Sequence, residues 1–281
     1  MKTGFSAYKE YLDKRVQCYP FIHEIIAFYK GLFDIWDKAQ PDDLSLLLVL
    51  ERFSRGRHLL AVENIGNVKF KNSADTAKNI FTLMEGLKGK KATGMAGLTV
   101  KEIINFIAES LSREDRFRNA LLKWILKPSF RCTLKAFNLP IGKGDEKRGA
   151  WNVGRCPVCY SPPGMALIGR MKEEEIEQRY LSCCFCGYQW RFDRVACPGC
   201  GNDKPEKLGL FVGEAGFDQG TRAVSCEECK TYIKTIFITC RENSKSPMDL
   251  DMDIEDVATI PLDMIAEQRG YTALCQHSVE A

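Results

Sequence analysis

Eight of the 13 cysteines in this 281-residue chain lie in four C-x-x-C pairs. A C-x-x-C turn places two thiolates on one side of a tight loop, and two such turns supply the four sulfurs of a tetrahedral metal shell. One pair is a weak signal, but four pairs within 74 residues are typical of metal-binding ribbons. We therefore predict two metal ions per chain, with the ligands Cys156, Cys159, Cys183, Cys186, Cys197, Cys200, Cys226 and Cys229.

The cysteine region repeats itself with a period near 42 residues. C-P-V-C at Cys156 is echoed 41 residues later by C-P-G-C at Cys197, and R-Y-L-S-C ending at Cys183 is echoed 43 residues later by R-A-V-S-C ending at Cys226. Such a period indicates two copies of one structural unit. The four pairs can combine into two shells in three ways, and the repeat favours self-contained copies. An interleaved arrangement would leave the match between the copies unexplained.

Each copy should be a pair of knuckles joined by strands. The position after a knuckle favours a left-handed residue whose amide points at a cysteine sulfur. Gly187 and Gly201 stand at two such positions, whereas Tyr160 and Lys230 stand at the other two, where we expect less relaxed geometry. Alternating residues after the second knuckle of each copy indicate strands. These are Tyr188, Trp190 and Phe192 in the first copy and Ile233, Thr235 and Phe237 in the second.

The identity of the metal stays open at this point. Four thiolates bind zinc well, and they also bind a single iron in a rubredoxin-like site. Iron–sulfur clusters are less favoured, because paired knuckles suit one ion each. The ions either only cross-link a small domain or also take part in redox chemistry. Cys184, inside the second knuckle, is interpreted as a buried small residue or a spare thiol. The cysteines without a partner by spacing are Cys18, Cys132, Cys240 and Cys275.

The elements in front of the cysteine region read as helices. Apolar residues recur at three- and four-residue steps over the first 130 residues or so, which predicts five to seven packed helices. Asp42 is expected to cap one that carries Leu44 to Phe53, and T-V-K-E at Thr99 to open another with a capping box. Pro128 is expected to end the last.

The C-terminal segment predicts one more helix, begun by Asp253 or Asp256 and ended at Gly270. The fold class is therefore α+β: an N-terminal all-α helical domain, two tandem rubredoxin-like or zinc-ribbon modules and a C-terminal helix. The predicted boundaries are 1–139 for the α-helical domain, 140–155 for a linker, 156–196 and 197–240 for the two metal knuckle modules, and 241–281 for an acidic connector and the C-terminal helix.

Charge is distributed unevenly. The net charge is +10 over residues 1–155, −1 over 156–240 and −6 over 241–281. Such a pattern suggests charged partners. Residues 249–256 are expected to contact a basic segment of a partner or of the front domain. Because phosphate contacts dominate nucleic-acid affinity, the acidic ribbon region argues against a nucleic-acid partner.

Other classes of protein are disfavoured by what the sequence lacks. No apolar run approaches the ~18 residues of a membrane span, and the N-terminus has no apolar signal core, so we expect a cytoplasmic protein without stable membrane insertion. There are three histidines and no G-x-S-x-G, H-E-x-x-H or G-x-G-x-x-G motif. We therefore predict that the chain is not an enzyme, with no catalytic and no organic cofactor-binding residues.

Three stretches resemble one known family. Arg179–Gly201, with Trp151–Cys159 before it and Ser225–Lys234 after it, is similar to the FdhE family of formate dehydrogenase accessory proteins. The helix at Leu262–Tyr271 also resembles that family's last helix. All eight paired cysteines match the family's ligands. The departures are Tyr160, where the family often has Gly, and the additional Cys184, and neither removes a ligand.

The resemblance implies a cytoplasmic accessory protein, or chaperone, for a respiratory formate dehydrogenase. Such proteins act before export on the immature catalytic subunit, which carries molybdenum or tungsten pterin and an iron–sulfur cluster. The family's knuckles are rubredoxin-like and associated with iron. A redox protein that passes electrons to its client, or senses its redox state, is the alternative, and a zinc-ribbon nucleic-acid binder is a third interpretation. A homodimer is left open.

Overall fold

The computed structural model describes two compact units. One unit comprises Met1–Arg52 with Leu59–Leu139, and the other comprises Phe53–His58 with Pro140–Ala281. The finer boundaries drawn from the sequence, including those between the modules, stay predictions. The residues whose structure is described are 8–48, 58–88, 97–137, 151, 153–170, 176–213, 220–240 and 250–276.

The first unit is helical, as predicted. Its described α-helices are α1 (Lys9–Cys18), α2 (His23–Lys38), α3 (Lys71–Lys88), α4 (Val100–Ser112) and α5 (Ala120–Phe137). The predicted capping box opens α4: the Thr99 hydroxyl accepts from the amide of Glu102 at 3.3 Å, and the Glu102 carboxylate accepts from the amide of Thr99 at 2.7 Å. Local residues therefore specify where this helix begins.

Asp42 caps a different helix from the one predicted. The segment after it forms only a short 3-10 turn, Ser45–Leu47, and Phe53 lies outside the described residues. The buried Asp42 carboxylate instead accepts from the amides of Asn72, at 3.0 Å, and Ser73, at 2.7 Å. Those amides belong to the first turn of α3, which has no partner for them within the helix. The prediction that Asp42 caps a helix is therefore confirmed, but the residue whose amide it accepts from lies 30 positions further along the chain, in α3.

The prediction that Pro128 ends the last front helix is wrong. Helix α5 continues to Phe137 with Pro128 inside it. A proline has no amide hydrogen, so the carbonyl of Trp124 loses its helical donor. The indole nitrogen of Trp36, on α2, donates to that carbonyl at 2.8 Å. A side chain from another helix thus replaces the missing bond and allows α5 to continue.

The second unit is built on one mixed sheet. Its strands are β1 (Pro163–Gly169), β2 (Gln178–Cys183), β3 (Gln189–Phe192), β4 (Leu208–Phe211), β5 (Thr221–Cys226), β6 (Thr231–Phe237) and β7 (Thr272–Ala273). They lie in the order β3-β2-β1-β6-β5-β4, and β7 pairs with β6. Each module is a three-stranded antiparallel set, which confirms the predicted α+β class with two ribbon-like modules.

The two modules are joined by a parallel pair that the sequence did not predict. Met165–Ile168 of β1 lie beside Lys234–Phe237 of β6. Leu167, Tyr180 and Ile236 are buried in the cluster that forms around this pair. The repeated units are therefore continuous in hydrogen bonding as well as in sequence.

The predicted C-terminal helix is two helices, α6 (Met252–Ala258) and α7 (Ile260–Gln268). Pro261 lies in the first turn of α7, where its missing amide hydrogen is tolerated, but it could not continue α6. Gly270, with φ of +82°, follows the end of α7 as expected. None of the described helices combines the length and apolar character needed to cross a membrane.

The acidic residues before α6 act within this unit. Asp251, rather than Asp253 or Asp256, caps α6 by accepting from the amides of residues 253 and 254 at 3.0 and 3.4 Å. Asp256 binds the buried Lys234 amine at 2.7 Å. These two carboxylates therefore make contacts within their own unit, and the docking role of residues 249–256 stays a prediction.

Candidate metal centres

The eight paired cysteines come together in two groups of four. Within each group the thiol sulfurs all lie within 4.8 Å of one another. The groups follow the repeat: each contains the two knuckles of one module, as the sequence predicted. The first group is Cys156, Cys159, Cys183 and Cys186, and the second is Cys197, Cys200, Cys226 and Cys229.

The spacing within the first group fits one tetrahedral ion. The sulfurs of Cys156 and Cys186 are 3.6 Å apart, and those of Cys159 and Cys183 are 3.4 Å apart. A tetrahedral ion with metal–sulfur bonds of ~2.3 Å separates its ligands by about 3.8 Å. All four side chains are buried. The first group could therefore hold a metal ion with little rearrangement.

The second group has the same shape but is more open. Its sulfurs are 3.6 Å apart between Cys197 and Cys229, and 3.7 Å apart between Cys200 and Cys226. Cys200 is exposed and Cys229 is partly exposed, whereas the other two are buried. An ion held here would lie closer to solvent than an ion in the first group.

The residues after the knuckles have the left-handed conformation that the sequence predicted, but their amides do not point at a sulfur. The amides of Gly187 and Gly201 donate to the carbonyls of Cys183 and Cys197, at 3.2 and 2.8 Å. All four positions after the knuckles have positive φ: 79° at Gly187, 76° at Gly201, 61° at Tyr160 and 53° at Lys230. Among the described residues, Tyr160 and Lys230 are the only non-glycines with positive φ. A residue with a Cβ atom is strained in this backbone conformation, which confirms the less relaxed geometry expected at these two knuckles.

Backbone amides point at the sulfurs in equivalent places of the two modules. The amide of Val158 donates to the Cys156 sulfur at 3.4 Å, and the amide of Gly199 donates to the Cys197 sulfur at 3.3 Å. Hydrogen bonds to a thiolate favour its charged form. The repeat therefore reproduces the amide donors as well as the ligands.

The electrostatics of the groups suit a bound cation. Burial raises the pKa of Cys156, and the hydrogen bond between the thiol groups of Cys197 and Cys229 raises the pKa of Cys197. The same bond lowers the pKa of Cys229 to about 4. Crowded sulfurs of this kind cannot all ionise unless a positive charge lies among them. A metal ion supplies that charge as the ligands lose their protons.

Two hydroxyl groups beside the sulfurs were missed by the sequence reasoning. The oxygen of Ser161 lies 3.3 Å from the Cys159 sulfur, and that of Thr231 lies 3.1 Å from the Cys229 sulfur. Both residues stand two positions after a knuckle, in C-P-V-C-Y-S and C-E-E-C-K-T. This shared spacing was the signal that could have identified them.

None of the other cysteines whose side chains are described belongs to these groups. Cys184 is buried, as one of its two interpretations required, and its amide donates to the carbonyl of Pro162 at 3.1 Å. Cys18 and Cys132 are exposed and Cys275 is partly exposed. The side chain of Cys240 is outside the described part of the structure.

A comparison with protein-family models finds a match at the first metal centre. Residues 155–194, which include most of the first module, match the family model "FdhE, central domain". A "Protein FdhE homolog" of Aquifex aeolicus is 29% identical over 179 residues, and one of Shewanella oneidensis is 33% identical over 118 residues. The resemblance to the FdhE family is confirmed. The matched segments cover 63% and 42% of this FdhE-like chain, but only 58% and 35% of those two relatives.

The fold of the FdhE-like chain has a counterpart among solved structures. The crystal structure of the FdhE protein from Pseudomonas aeruginosa has a TM-score of 0.61 and covers 97% of this chain and 94% of its own. Sequence identity between the two is 19%, so this likeness concerns the fold.

Proposed function

We propose that this FdhE-like chain is a cytoplasmic accessory protein that binds the immature catalytic subunit of a respiratory formate dehydrogenase and assists its assembly before export. The observation that carries the proposal is the pair of four-sulfur groups, set in one sheet, in a chain that resembles the FdhE family. No catalytic step and no nucleic-acid partner are proposed.

The eight cysteines would hold two ions, iron or zinc, as four-thiolate complexes. Each ion would supply a cross-link between the two knuckles of its module, with folding free energy of roughly 10 kcal/mol or more per site. The chain's own contribution is to gather the sulfurs, direct the amides of Val158 and Gly199 at them and close each knuckle in a left-handed turn. A rigid, metal-linked sheet is a suitable platform for holding an unfinished client.

A redox role is the second candidate, and the openness of the second group favours it. Cys200 is exposed and Cys229 partly exposed, so an iron ion bound there would be near the surface. Electrons could then pass to or from a docked client without crossing the core. Visible absorption of anaerobically purified protein distinguishes the candidates. A bleachable iron–thiolate spectrum supports redox chemistry, whereas a colourless protein with two zinc ions contradicts it.

The accessory role is tested by capture of the client. The chain is tagged and expressed in its native host, and proteins retained from the cytoplasmic fraction are quantified by mass spectrometry. We expect the catalytic subunit of formate dehydrogenase to be enriched without the membrane subunits of the mature enzyme. A variant with Cys156→Ser and Cys197→Ser should lose it, whereas Cys132→Ser, an exposed change in the helical unit, should not. Absence of enrichment over the tag alone would reject the proposal.

A further inference from the structure

Arg179, on β2 of the first module, carries a positive charge into the boundary between the modules. Its side chain is 3% exposed. One terminal nitrogen donates to the carbonyl of Ala196 at 2.7 Å, and Ala196 immediately precedes Cys197. The other guanidinium nitrogens, Nε and Nη2, are buried without a hydrogen-bond partner. A buried charge is unfavourable unless it is paired, so this cation requires a nearby negative charge.

The cavity beside Arg179 indicates where that negative charge comes from. Its lining includes Arg179, Cys197, Ser225 and Cys226, and no aspartate or glutamate of the described chain. Its enclosed part has room for about one water molecule, so a bound organic anion does not fit there. The ionisable residues that line it together with the arginine are Tyr232 and two cysteines of the second metal centre, Cys197 and Cys226.

Metal binding gives those sulfurs a lasting negative charge. A divalent ion with four thiolates carries a net charge of about −2. Burial lowers the pKa of Arg179 to about 10, and the Cys197 thiolate opposes that effect. The guanidinium is therefore charged at neutral pH, and its attraction to the loaded centre acts across poorly solvated space, where it is only weakly screened.

The repeat supplies an internal comparison. Arg222 occupies the place of Arg179 in the second copy, since R-A-V-S-C corresponds to R-Y-L-S-C. The guanidinium carbon of Arg179 lies 5.9 Å from the ring centroid of Phe192, and that of Arg222 lies 5.7 Å from the ring centroid of Phe237. Arg222 is only partly buried, and no third module follows it in the described sheet. The two arginines therefore differ in burial and in their access to a neighbouring metal centre.

We propose that Arg179 of the first module is the counter-charge of the metal–thiolate centre in the second module. Because the arginine and the centre belong to different modules, filling the second site adds an electrostatic attraction between the two modules. This inference rests on the proposed metal-binding role of the cysteines. It assigns Arg179 a positioning and charge-balancing role, without contact with the ion.

The test uses the full chain loaded with zinc, and compares Arg179→Gln, Arg179→Lys and Arg222→Gln. Metal affinity at each site is measured by competition with a chromophoric chelator. The second site is assigned as the phase that disappears in a Cys200→Ser variant. We expect Arg179→Gln to weaken the second site by about tenfold, a typical effect of losing a group that supports metal ligands. Arg179→Lys should stay close to wild type because it keeps the charge, and Arg222→Gln should leave both sites unchanged.

If the second site binds zinc equally tightly in wild type and Arg179→Gln, the inference about Arg179 is overturned, but the metal-binding proposal is not. An equal loss in Arg179→Lys and Arg179→Gln would also overturn the inference, because it would indicate shape rather than charge. If Arg179→Gln does not fold, Arg179→Lys decides: it must fold and retain the second ion, and its failure would overturn the inference. A wild-type chain that holds no second ion would instead overturn the metal-binding proposal on which the inference rests.

Discussion

The indole nitrogen of Trp36 donates a hydrogen bond of 2.8 Å to the carbonyl of Trp124, the group that Pro128 leaves without a helical donor. This bond links α2 to α5 at the point where α5 would otherwise be broken. The two residues are 88 positions apart in sequence. The relationship explains why a proline in mid-helix is tolerated here.

Replacing Trp36 should therefore destabilise the helical unit in a way that depends on Pro128. Trp36→Phe leaves the Trp124 carbonyl unsatisfied, which costs about 1–3 kcal/mol in addition to lost packing. Pro128→Ala restores an amide hydrogen that can occupy that carbonyl. We expect the loss caused by Trp36→Phe to be smaller in the Pro128→Ala background, as measured by denaturant unfolding of the four proteins. Equal losses in both backgrounds would contradict this explanation.

The left-handed knuckle residues give a second prediction. A methyl group added at Gly201 meets no atom within 4 Å, so the only cost of Gly201→Ala is the backbone conformation at φ of +76°. We expect a loss of about 1–2 kcal/mol in unfolding free energy. Gly201→Asn should lose less than Gly201→Ala, because asparagine tolerates this conformation better. An asparagine variant that is the less stable of the two in thermal unfolding of the metal-loaded protein would disprove the argument.

The unequal exposure of the two metal centres predicts ordered metal loss. A chelator should remove the ion of the second group before the ion of the first. The reason is that Cys200 and Cys229 of the second group are exposed to solvent, whereas all four ligands of the first group are buried. Stopped-flow chelation should show two phases of equal size. Cys200→Ser should abolish the faster phase, and Cys159→Ser the slower one. A single phase, or the reverse assignment, would show that exposure does not control release.

The buried amine of Lys234 predicts a dependence on alkaline pH. Burial alone would lower the pKa of Lys234, but attraction by Asp256 and Asp263, each 2.7 Å away, outweighs it and raises the pKa. A raised pKa means that the stabilisation is complete below the unfolded value of ~10.4 and is lost as the pH rises through the folded value. Lys234→Met leaves both carboxylates without this cation and should cost about 3 kcal/mol at pH 8.

The difference in unfolding free energy between wild type and Lys234→Met should become smaller as the pH rises above about 10.4. Urea unfolding at pH 8 and at pH 11 measures it. Arg191→Met is the control, because Arg191 holds the equivalent place in the first repeat but is exposed. It should change stability little at either pH. A Lys234→Met difference of the same size at both pH values would mean that ionisation of the amine is not its source.

Features encoded by neighbouring residues were predictable from the sequence. The capping box at Thr99, the left-handed positions after the knuckles and the grouping of the cysteines all depend on short spacings or on the repeat. The predictions for Asp42 and Pro128 failed because the decisive partners come from distant segments. The Asp42 carboxylate accepts from the amide of Ser73, and the indole of Trp36 donates to the carbonyl that Pro128 leaves without a helical donor. Capping and proline rules describe the group that needs a partner, but they do not say which part of the chain supplies it.

The junction between the modules could not be predicted for a similar reason. The repeat identified two copies, but nothing local indicates that β1 and β6 pair in parallel. Arg179 was visible only as one letter of a repeated motif. Its role depends on the segment around Ala196 returning to β2, which only the folded structure places there. Side chains that act across a boundary are the part of a candidate site that sequence patterns omit.

The claim that the two cysteine groups are separate one-ion sites is tested most directly by the metal-to-protein ratio. Elemental analysis should be carried out on anaerobically purified wild type and on two double variants, Cys156→Ser with Cys183→Ser and Cys197→Ser with Cys226→Ser. The structure predicts two ions per chain in wild type and one in each double variant. A wild-type ratio near zero, or loss of both ions from either folded double variant, would contradict it.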